Sequence, residues 1–336
     1  MTLLFLLWMG GCQLAFAQDY QEQADRFLKK MPAGLQDRQC AAIQQALEGE
    51  LLPLQQVRKG RNTLTPVPET VQATEVTPTL RLYQPKERKN EVLPLLVYLH
   101  GGGWTIGSIH SCARYCGELA ATGEVMVLAV EYRLAPEYPY PCGLTDCVEA
   151  VEYARAHAKE WGSDPSLVSV GGDSSGGNLA LATALRLQQE QKAVPHSLVL
   201  YYPVVSSWND QSESWKKYAR GAALDAPLMD AFNRAYCEGV KGALQEDAHQ
   251  NALISPSVAT DEALSKLPKI LLIAAERDIL HDQGQQFAER LQTLGVAVER
   301  RVLPGSVHLF VTVVGQEKAF REAVHSAEGF LKLPRP

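Results

Sequence analysis

Short apolar runs alternate along this chain with amphipathic segments. The runs are brief and almost continuously hydrophobic, which is typical of strands that are buried on both faces. They lie at residues 93–99, 125–130, 167–170, 197–205, 269–275 and 296–303. Between them, Leu and Ala recur at helical spacing over residues 111–121, 144–161, 178–191, 283–294 and 316–331. Strand alternating with helix predicts a mostly parallel central sheet flanked by helices, with right-handed crossovers.

Three stretches depart from this alternation. Residues 19–56 carry apolar positions at helical spacing, interrupted at Pro32 and Pro53, and predict two helices that form part of a lid. Residues 61–85 are rich in β-branched residues and predict strands, most clearly at 79–83. Residues 206–260 place aromatic side chains among polar ones, and we interpret them as a helical insertion. The predicted organisation is N-terminal cap helices over 18–60 and a catalytic domain over 61–336, with a cap insertion at about 206–260.

Composition limits the classes of partner. The 336 residues are 46% hydrophobic and 21% charged, which suits one large α/β domain with insertions. The net charge of -6 and the absence of a Lys/Arg cluster in the sequence disfavour nucleic acid and anionic lipid. A small neutral substrate fits this composition better.

The first residues resemble a secretory leader. Residues 2–17 contain a short apolar core that ends in Ala15-Phe16-Ala17, an A-x-A cleavage signal. We therefore expect a signal peptide over 1–17, a mature chain that begins near Gln18, and a secreted or periplasmic protein. The run is too short to span a bilayer comfortably. Because no Lys or Arg precedes the apolar run, a buried N-terminus or a start that is not the natural one is an alternative. A lipoprotein attached through Cys12 is another, although Met9-Gly10-Gly11 before it matches such sites poorly.

Removal of the leader leaves six cysteines. They are Cys40, Cys112, Cys116, Cys142, Cys147 and Cys237. An even number would allow disulfide pairing in an oxidising compartment. Their spacing does not match the close pairs of a metal site. Disulfides and free buried thiols both remain open.

A glycine-rich turn between a predicted strand and a predicted helix presents one serine. Gly172-Asp173-Ser174-Ser175-Gly176 fits the G-x-S-x-G pattern, in which glycines permit a sharp turn that exposes a nucleophilic hydroxyl. The pattern is short enough to occur by chance, so its context carries the inference. Only Ser174 occupies the central position, and Ser175 is better suited to offer its backbone N–H group.

A second glycine cluster follows the strand at 93–99. His100-Gly101-Gly102-Gly103-Trp104 leaves successive N–H groups unshielded, so that they can converge on an oxygen that gains negative charge during acyl transfer. An ordinary glycine-rich turn or a phosphate loop is the alternative. A Walker-type loop would require Gly-Lys-Ser/Thr, which does not follow here.

An acid and a base follow later strands. Asp278 lies just after the strand at 269–275, and His308 lies after the strand at 296–303. The order Ser, Asp, His along the chain is that of α/β-hydrolase triads. Asp282 competes with Asp278, but we interpret it as the N-terminal cap of its own helix. His281 and His325 are interpreted as surface or packing residues.

These motifs together resemble the hormone-sensitive-lipase-like, HGGG-motif family of α/β-hydrolases. The residues that carry the resemblance are His100–Trp104, Tyr132–Glu137, Gly172–Asn178, Asp278–Leu280 with Asp282, and His308–Phe310. The resemblance covers about residue 75 to the C-terminus. It implies an α/β-hydrolase fold with a helical cap and no metal or organic cofactor. Members often dimerise through the last strand and helix, which correspond here to 296–331.

The resemblance also assigns roles to residues. Ser174 would be the nucleophile, His308 the general base and Asp278 the acid that orients it. Gly102, Gly103 and Ser175 would form the oxyanion hole, with Gly101 left undecided. The implied activity is hydrolysis of short-chain carboxylic esters, and the leader suggests an exported deacetylase of acetylated carbohydrates or xenobiotics. The alternatives are a serine peptidase or amidase, and an inactive binding protein such as the gibberellin receptors, which lack the histidine.

Overall fold

One mixed sheet organises the molecule. The computed structural model describes residues 18–61, 65–239 and 248–333. The strands of these residues are β1 (Val71–Thr77), β2 (Leu80–Pro85), β3 (Leu95–Leu99), β4 (Met126–Val130), β5 (Val168–Asp173), β6 (Ser197–Tyr201), β7 (Lys269–Arg277) and β8 (Val298–Val307). They lie in the order β1-β2-β4-β3-β5-β6-β7-β8. β2 is antiparallel to both of its neighbours. The other strands of the sheet, in the order β4-β3-β5-β6-β7-β8, are all parallel to one another. The predicted mostly parallel sheet is confirmed.

Helices pack on both faces of the sheet. The longer ones are α1 (residues 18–30), α2 (Leu35–Leu47), α3 (Leu52–Arg61), α4 (Ala113–Ala121), α5 (Cys142–Trp161), α6 (Ser175–Gln189), α8 (Ala226–Glu238), α10 (His281–Thr293) and α11 (Glu317–Leu331), with short α7 (Glu213–Lys217) and α9 (Asp261–Ser265). The central strands are continuous apolar runs because each face is covered. Leu95, Val97 and Leu99 of β3 belong to one core cluster, whereas Leu96 and Tyr98 belong to the other.

The N-terminal region contains three helices where we predicted two. Pro53 is the second residue of α3. The backbone N–H groups of the first helical turn have no intrahelical acceptor, so a proline at this position costs the helix no hydrogen bond. This proline therefore begins a helix instead of interrupting one. α2 packs against α3 and α8. The division into a cap and a catalytic domain stays a prediction.

The six cysteines outside the leader are all free thiols. Cys112, Cys116, Cys147 and Cys237 are buried, and the other two are partly exposed. Of the two alternatives that the sequence left open, the structure therefore favours free thiols over disulfides.

The parallel strands bring the candidate residues to one edge of the sheet. His100 follows β3, Ser174 follows β5, Asp278 follows β7 and His308 follows β8. The carboxyl ends of parallel strands meet at one edge, so residues far apart in sequence come together there. The predicted signal peptide lies outside the described residues. Within the described ranges, no helix combines the length and the apolarity needed to cross a membrane.

Candidate active site

Ser174 occupies a strained turn between β5 and α6. Its backbone has φ 56° and ψ −118°, a region that a serine seldom adopts. The turn fits because its glycines let backbones approach closely: a Cβ on Gly176 would lie 2.0 Å from the carbonyl oxygen of Leu99. The tight turn directs the Ser174 hydroxyl toward the cavity at the carboxyl edge of the sheet.

The three predicted triad residues meet in a buried chain of hydrogen bonds. The Oγ of Ser174 lies 3.1 Å from Nε2 of His308, and Nδ1 of His308 lies 2.5 Å from Oδ2 of Asp278. The second oxygen of Asp278 accepts the Leu280 N–H at 3.0 Å. Because a carboxylate can only accept, the imidazole proton belongs on Nδ1. Nε2 is then free to accept the serine proton.

The rival acid and bases lie elsewhere. The carboxylate of Asp282 accepts the N–H of Ser214, at 2.8 Å, in the first turn of α7. The N-cap of α10 is Leu280, so our prediction that Asp282 caps its own helix is wrong. His281 contacts the carbonyl of Ala275, and His325 is 78% exposed on α11. The structure brings none of them into the hydrogen-bonded chain of Ser174.

The glycine cluster after β3 lines the same cavity as Ser174. Gly102 and Gly103 have φ of 119° and 59°, and a Cβ on Gly103 would lie 2.1 Å from the ring of Phe232. Among the described residues, the N–H groups of Gly102, Gly103 and Ser175 donate to no protein acceptor. They are therefore available to a ligand oxygen.

Gly101, which the sequence left undecided, is occupied. Its N–H donates to Oδ1 of Asp173 at 3.0 Å. The same carboxylate accepts from the hydroxyls of Tyr98, at 3.0 Å, and Thr312, at 2.8 Å. Burial raises the pKa of Asp173, and these hydrogen bonds oppose the rise.

Sequence reasoning missed Asp173 as a functional residue. Its carboxylate joins β3, the glycine cluster and the loop after His308. One signal in the sequence could have indicated it. Asp173 is a charged residue at a variable position of the glycine-rich turn, and the turn has to be buried at the end of a central strand. Gln316 was missed as well: its side chain bonds the N–H and the carbonyl of Val307 and the carbonyl of His308. It thereby holds the backbone that carries the imidazole.

Arg58 of α3 was the third omission. Its guanidinium donates to the carbonyls of Thr105 and Ala135, both at 2.8 Å, and pairs with Glu137 at 2.6 Å. This arginine links the N-terminal helices to the glycine cluster and to the Tyr132–Glu137 motif. The motif contacts the cluster directly too, since the Tyr132 hydroxyl donates to the carbonyl of His100 at 2.6 Å.

The cavity at Ser174 is small. Its volume is about 30 Å³, and its walls include His308, Gly103, Leu35 of α2 and Phe232 of α8. A hydroxyl activated by an imidazole, beside N–H groups that can hold an oxyanion, is suited to acyl transfer.

Comparison with known proteins agrees with this geometry. Residues 96–312 match the Abhydrolase_3 family, described by its alpha/beta hydrolase fold. The carboxylesterase NlhH of Mycobacterium tuberculosis is 33% identical over 289 residues, which cover 84% of each chain. The ethyl acetate hydrolase of Pseudomonas putida is 36% identical over 69% of this chain and 71% of that protein. The solved structure of a thermostable esterase from Pseudomonas putida superposes with a TM-score of 0.73 at 25% identity, covering 89% of this chain and 98% of that one.

Proposed function

Because the chain belongs to the Abhydrolase_3 family, the hormone-sensitive-lipase-like carboxylic ester hydrolases of the α/β-hydrolase fold, we propose that it hydrolyses short-chain esters through an acyl-enzyme on Ser174. The observation that carries the proposal is the buried Ser174–His308–Asp278 chain, with contacts of 3.1 and 2.5 Å, beside the free N–H groups of Gly102 and Gly103.

In the acylation step, Nε2 of His308 takes the proton of the Ser174 hydroxyl as its oxygen attacks the ester carbonyl. The N–H groups of Gly102, Gly103 and Ser175 stabilise the resulting oxyanion. The bond between the carbonyl carbon and the alcohol oxygen then breaks, and His308 returns its proton to the departing alcohol. Asp278 keeps the imidazole in the correct tautomer and stabilises its protonated form.

Deacylation repeats these roles with water as the nucleophile. His308 removes a proton from the water, which attacks the acyl carbon, and the Ser174 oxygen leaves with the proton that His308 donates. The products are a carboxylic acid and the free enzyme.

The size of the cavity supports a preference for short acyl groups. Gly102, Gly103 and Phe232 are among the residues that line its volume of about 30 Å³, and the Phe232 ring lies directly against Gly103. An acetyl or butyryl group fits this volume better than a long acyl chain does, since Leu35 of α2 and Phe232 of α8 line the cavity. The name of the Pseudomonas putida relative, an ethyl acetate hydrolase, points in the same direction.

For the biological role we propose an exported deacetylase of acetylated carbohydrates or xenobiotic esters. Support comes from the leader-like residues 2–17 and from the preference for short acyl groups argued above.

The test is the initial rate of hydrolysis of p-nitrophenyl esters from acetate to decanoate, with acetylated xylan measured in parallel. We expect the highest rate at acetate or butyrate, and a loss of at least about 10³-fold in Ser174→Ala, because removing a triad nucleophile leaves only binding and oxyanion stabilisation. Ser163→Ala, a buried serine before β5, is the matched control and should keep the wild-type rate. Unchanged turnover in Ser174→Ala would refute the assignment of the nucleophile.

The alternatives separate in the same assay. A serine amidase would cleave p-nitroacetanilide at a readily measurable rate, although p-nitrophenyl acetate, which has the same acetyl group and a better leaving group, would still react faster. An inactive binding protein would turn over no ester although it is folded. We expect the ester to be hydrolysed and the anilide to be left intact.

A further inference from the structure

A second, much larger cavity adjoins the catalytic one. It has a volume of about 1080 Å³ and lies between the N-terminal helices and the loop that follows His308. Met31, Leu35, Gln39 and Leu309 line both cavities. We call the larger cavity the outer cleft. Because these four residues line both cavities, the two lie next to each other. The alcohol portion of a substrate whose acyl group lies at Ser174 can enter the outer cleft by passing these side chains.

The charges that line the outer cleft all have the same sign. Arg26 and Lys30 of α1 and Arg38 of α2 line it, and none of its described lining residues is Asp or Glu. This differs from the whole chain, whose net charge is -6. A local excess of cations in a concave site raises the local concentration of anionic ligands.

These cations are only weakly engaged by the protein. Arg26 lies 3.7 Å from Glu22 in an exposed pair, a geometry that contributes little binding energy. Arg38 donates to the carbonyl of Ala33 at 2.7 Å and forms no ion pair among the described residues. Lys30 forms no ion pair within the described ranges either. Their charges are therefore available to a ligand.

The rest of the outer cleft is largely apolar. Phe27, Val57, Val313 and Val314 line it, and Val314 is 68% exposed, although large apolar side chains are usually buried. An apolar surface next to uncompensated cations matches a molecule that has an apolar body and an anionic end.

We propose that the preferred substrates are esters of a small acyl group with an elongated, apolar alcohol that carries an anionic group at its far end. The acyl group lies at Ser174, the apolar part of the alcohol lies along the outer cleft, and Arg26, Lys30 and Arg38 attract the anion. This inference rests on the esterase function proposed above. It replaces the small neutral substrate expected from net charge, because net charge averages over a surface whose clefts can have the opposite sign. Of the two substrate classes proposed above, it favours xenobiotic esters over acetylated carbohydrates, since the outer cleft is largely apolar.

The test uses matched pairs of acetate esters. The acids are hexanoate, decanoate and tetradecanoate that carry an acetoxy group on the terminal carbon, opposite to the carboxylate. Each is compared with the corresponding primary amide, which has the same shape and no charge. Acetate release gives kcat/KM for each compound. At low ionic strength we expect the carboxylate to be preferred about three- to tenfold once the chain is long enough to reach the cations, as exposed ion pairs allow. The preference should decrease as salt is added.

The variant Arg26→Gln/Lys30→Gln/Arg38→Gln should abolish the preference for the carboxylate. Its rates with the amides and with p-nitrophenyl acetate should equal those of the wild type, which also shows that it folds. The matched control is Lys159→Gln/Lys217→Gln/Lys332→Gln, which removes the same charge from exposed positions that do not line the outer cleft. This control should keep most of the preference.

Equal kcat/KM for carboxylate and amide in the wild-type enzyme would overturn the proposal, as would a preference that survives in the cleft variant. Either result would leave the esterase function intact as long as p-nitrophenyl acetate is hydrolysed. Failure to hydrolyse p-nitrophenyl acetate would instead overturn the esterase function, and with it this inference.

Discussion

His100 is a histidine that the fold holds in its neutral form. Its ring is buried and stacks on Tyr132, with ring centroids 4.2 Å apart, and Nδ1 lies 2.9 Å from the carbonyl of Gly101. A carbonyl accepts, so the proton belongs on Nδ1. Burial lowers the pKa of His100 from 6.5 to about 4, against the smaller opposite effect of the hydrogen bond to Gly101.

This depressed pKa predicts a loss of stability in acid. The unfolded chain binds a proton at His100 near pH 6.5, whereas the folded chain binds it only near pH 4. The free energy of unfolding should therefore fall as the pH decreases through this window, by about 3 kcal/mol from this group. Chemical denaturation of His100→Gln at several pH values should show a shallower decrease by this amount. The exposed His325→Gln should behave as the wild type, and an unchanged slope in His100→Gln would contradict the prediction.

Asp173 offers a second test at the level of one residue. Asp173→Asn keeps the shape of the side chain but replaces one acceptor oxygen by an NH₂ group. The remaining oxygen can accept either from Tyr98 and Gly101, which share Oδ1, or from Thr312, which donates to Oδ2, but not from both sets. We expect the free energy of unfolding to fall by about 1–3 kcal/mol. We also expect kcat to fall about ten- to a hundredfold with little change in KM, because the displaced glycine cluster acts mainly on the transition state.

Asp164→Asn is the control for this substitution. Asp164 lies before β5, at the end opposite to Asp173, and caps a short helical turn through Ser166. Its replacement should leave kcat unchanged. A rise in KM with constant kcat in Asp173→Asn would mean that this residue serves substrate binding and not the position of the oxyanion donors.

At the level of elements, Arg58 connects α3 to the loops that form the site. Its guanidinium bonds two loop carbonyls and the carboxylate of Glu137, and both charged side chains are about four-fifths buried. Arg58→Met keeps the length of the side chain and leaves Glu137 without its partner. We expect the free energy of unfolding to fall by about 1–3 kcal/mol and kcat/KM to fall about tenfold, because Thr105 follows the glycine cluster directly.

Arg133→Met, in the Tyr132–Glu137 motif that Arg58 contacts, is the matched control. Arg133 pairs with Asp146 at 2.7 Å, but its side chain is 46% exposed. An exposed pair contributes up to about 1 kcal/mol, so this substitution should have a small effect on both quantities. Equal effects of the two substitutions, measured by urea denaturation and ester hydrolysis, would argue against a special role for the contact between α3 and the loops.

At the level of the whole molecule, the reactivity of the cysteines tests both which thiols are buried and whether the leader is removed. A thiol reagent added to the native protein should modify at most Cys40 and Cys142, since the four other thiols are buried. The denatured protein should react with the reagent at six cysteines. The intact mass of the unmodified protein should equal that of a chain that begins near Gln18. Fewer than six would indicate disulfides, and a seventh would show that Cys12, and with it the leader, is retained.

The positions of the triad could be predicted because the signals for them are local. Ser174, Asp278 and His308 each follow an apolar run, and a run covered on both faces can be recognised without knowledge of its neighbours. The glycines around Ser174 indicate a tight turn for a similarly local reason, since only a backbone without Cβ allows such close approach. Parallel strands then bring these residues to one edge of the sheet, whatever the details of packing.

The supporting residues could not be predicted, because their partners are distant in sequence. Arg58 bonds a residue 79 positions away, and Thr312 reaches Asp173 across 139 positions. Asp282 resembled the cap of its own helix, but in the tertiary structure it accepts a hydrogen bond from α7. No periodicity encodes such contacts, since they depend on how whole elements pack.

The sequence by itself determined the class of sheet, the strand ends that Ser174, Asp278 and His308 follow, and the family. Only the tertiary structure decided which glycine N–H groups are free, how small the cavity at Ser174 is, and that Arg26, Lys30 and Arg38 line one cleft. The physical reason is that strand and helix periods depend on neighbouring residues alone. Cavities and local charge arise where separate elements meet, and they exist only once the chain has folded.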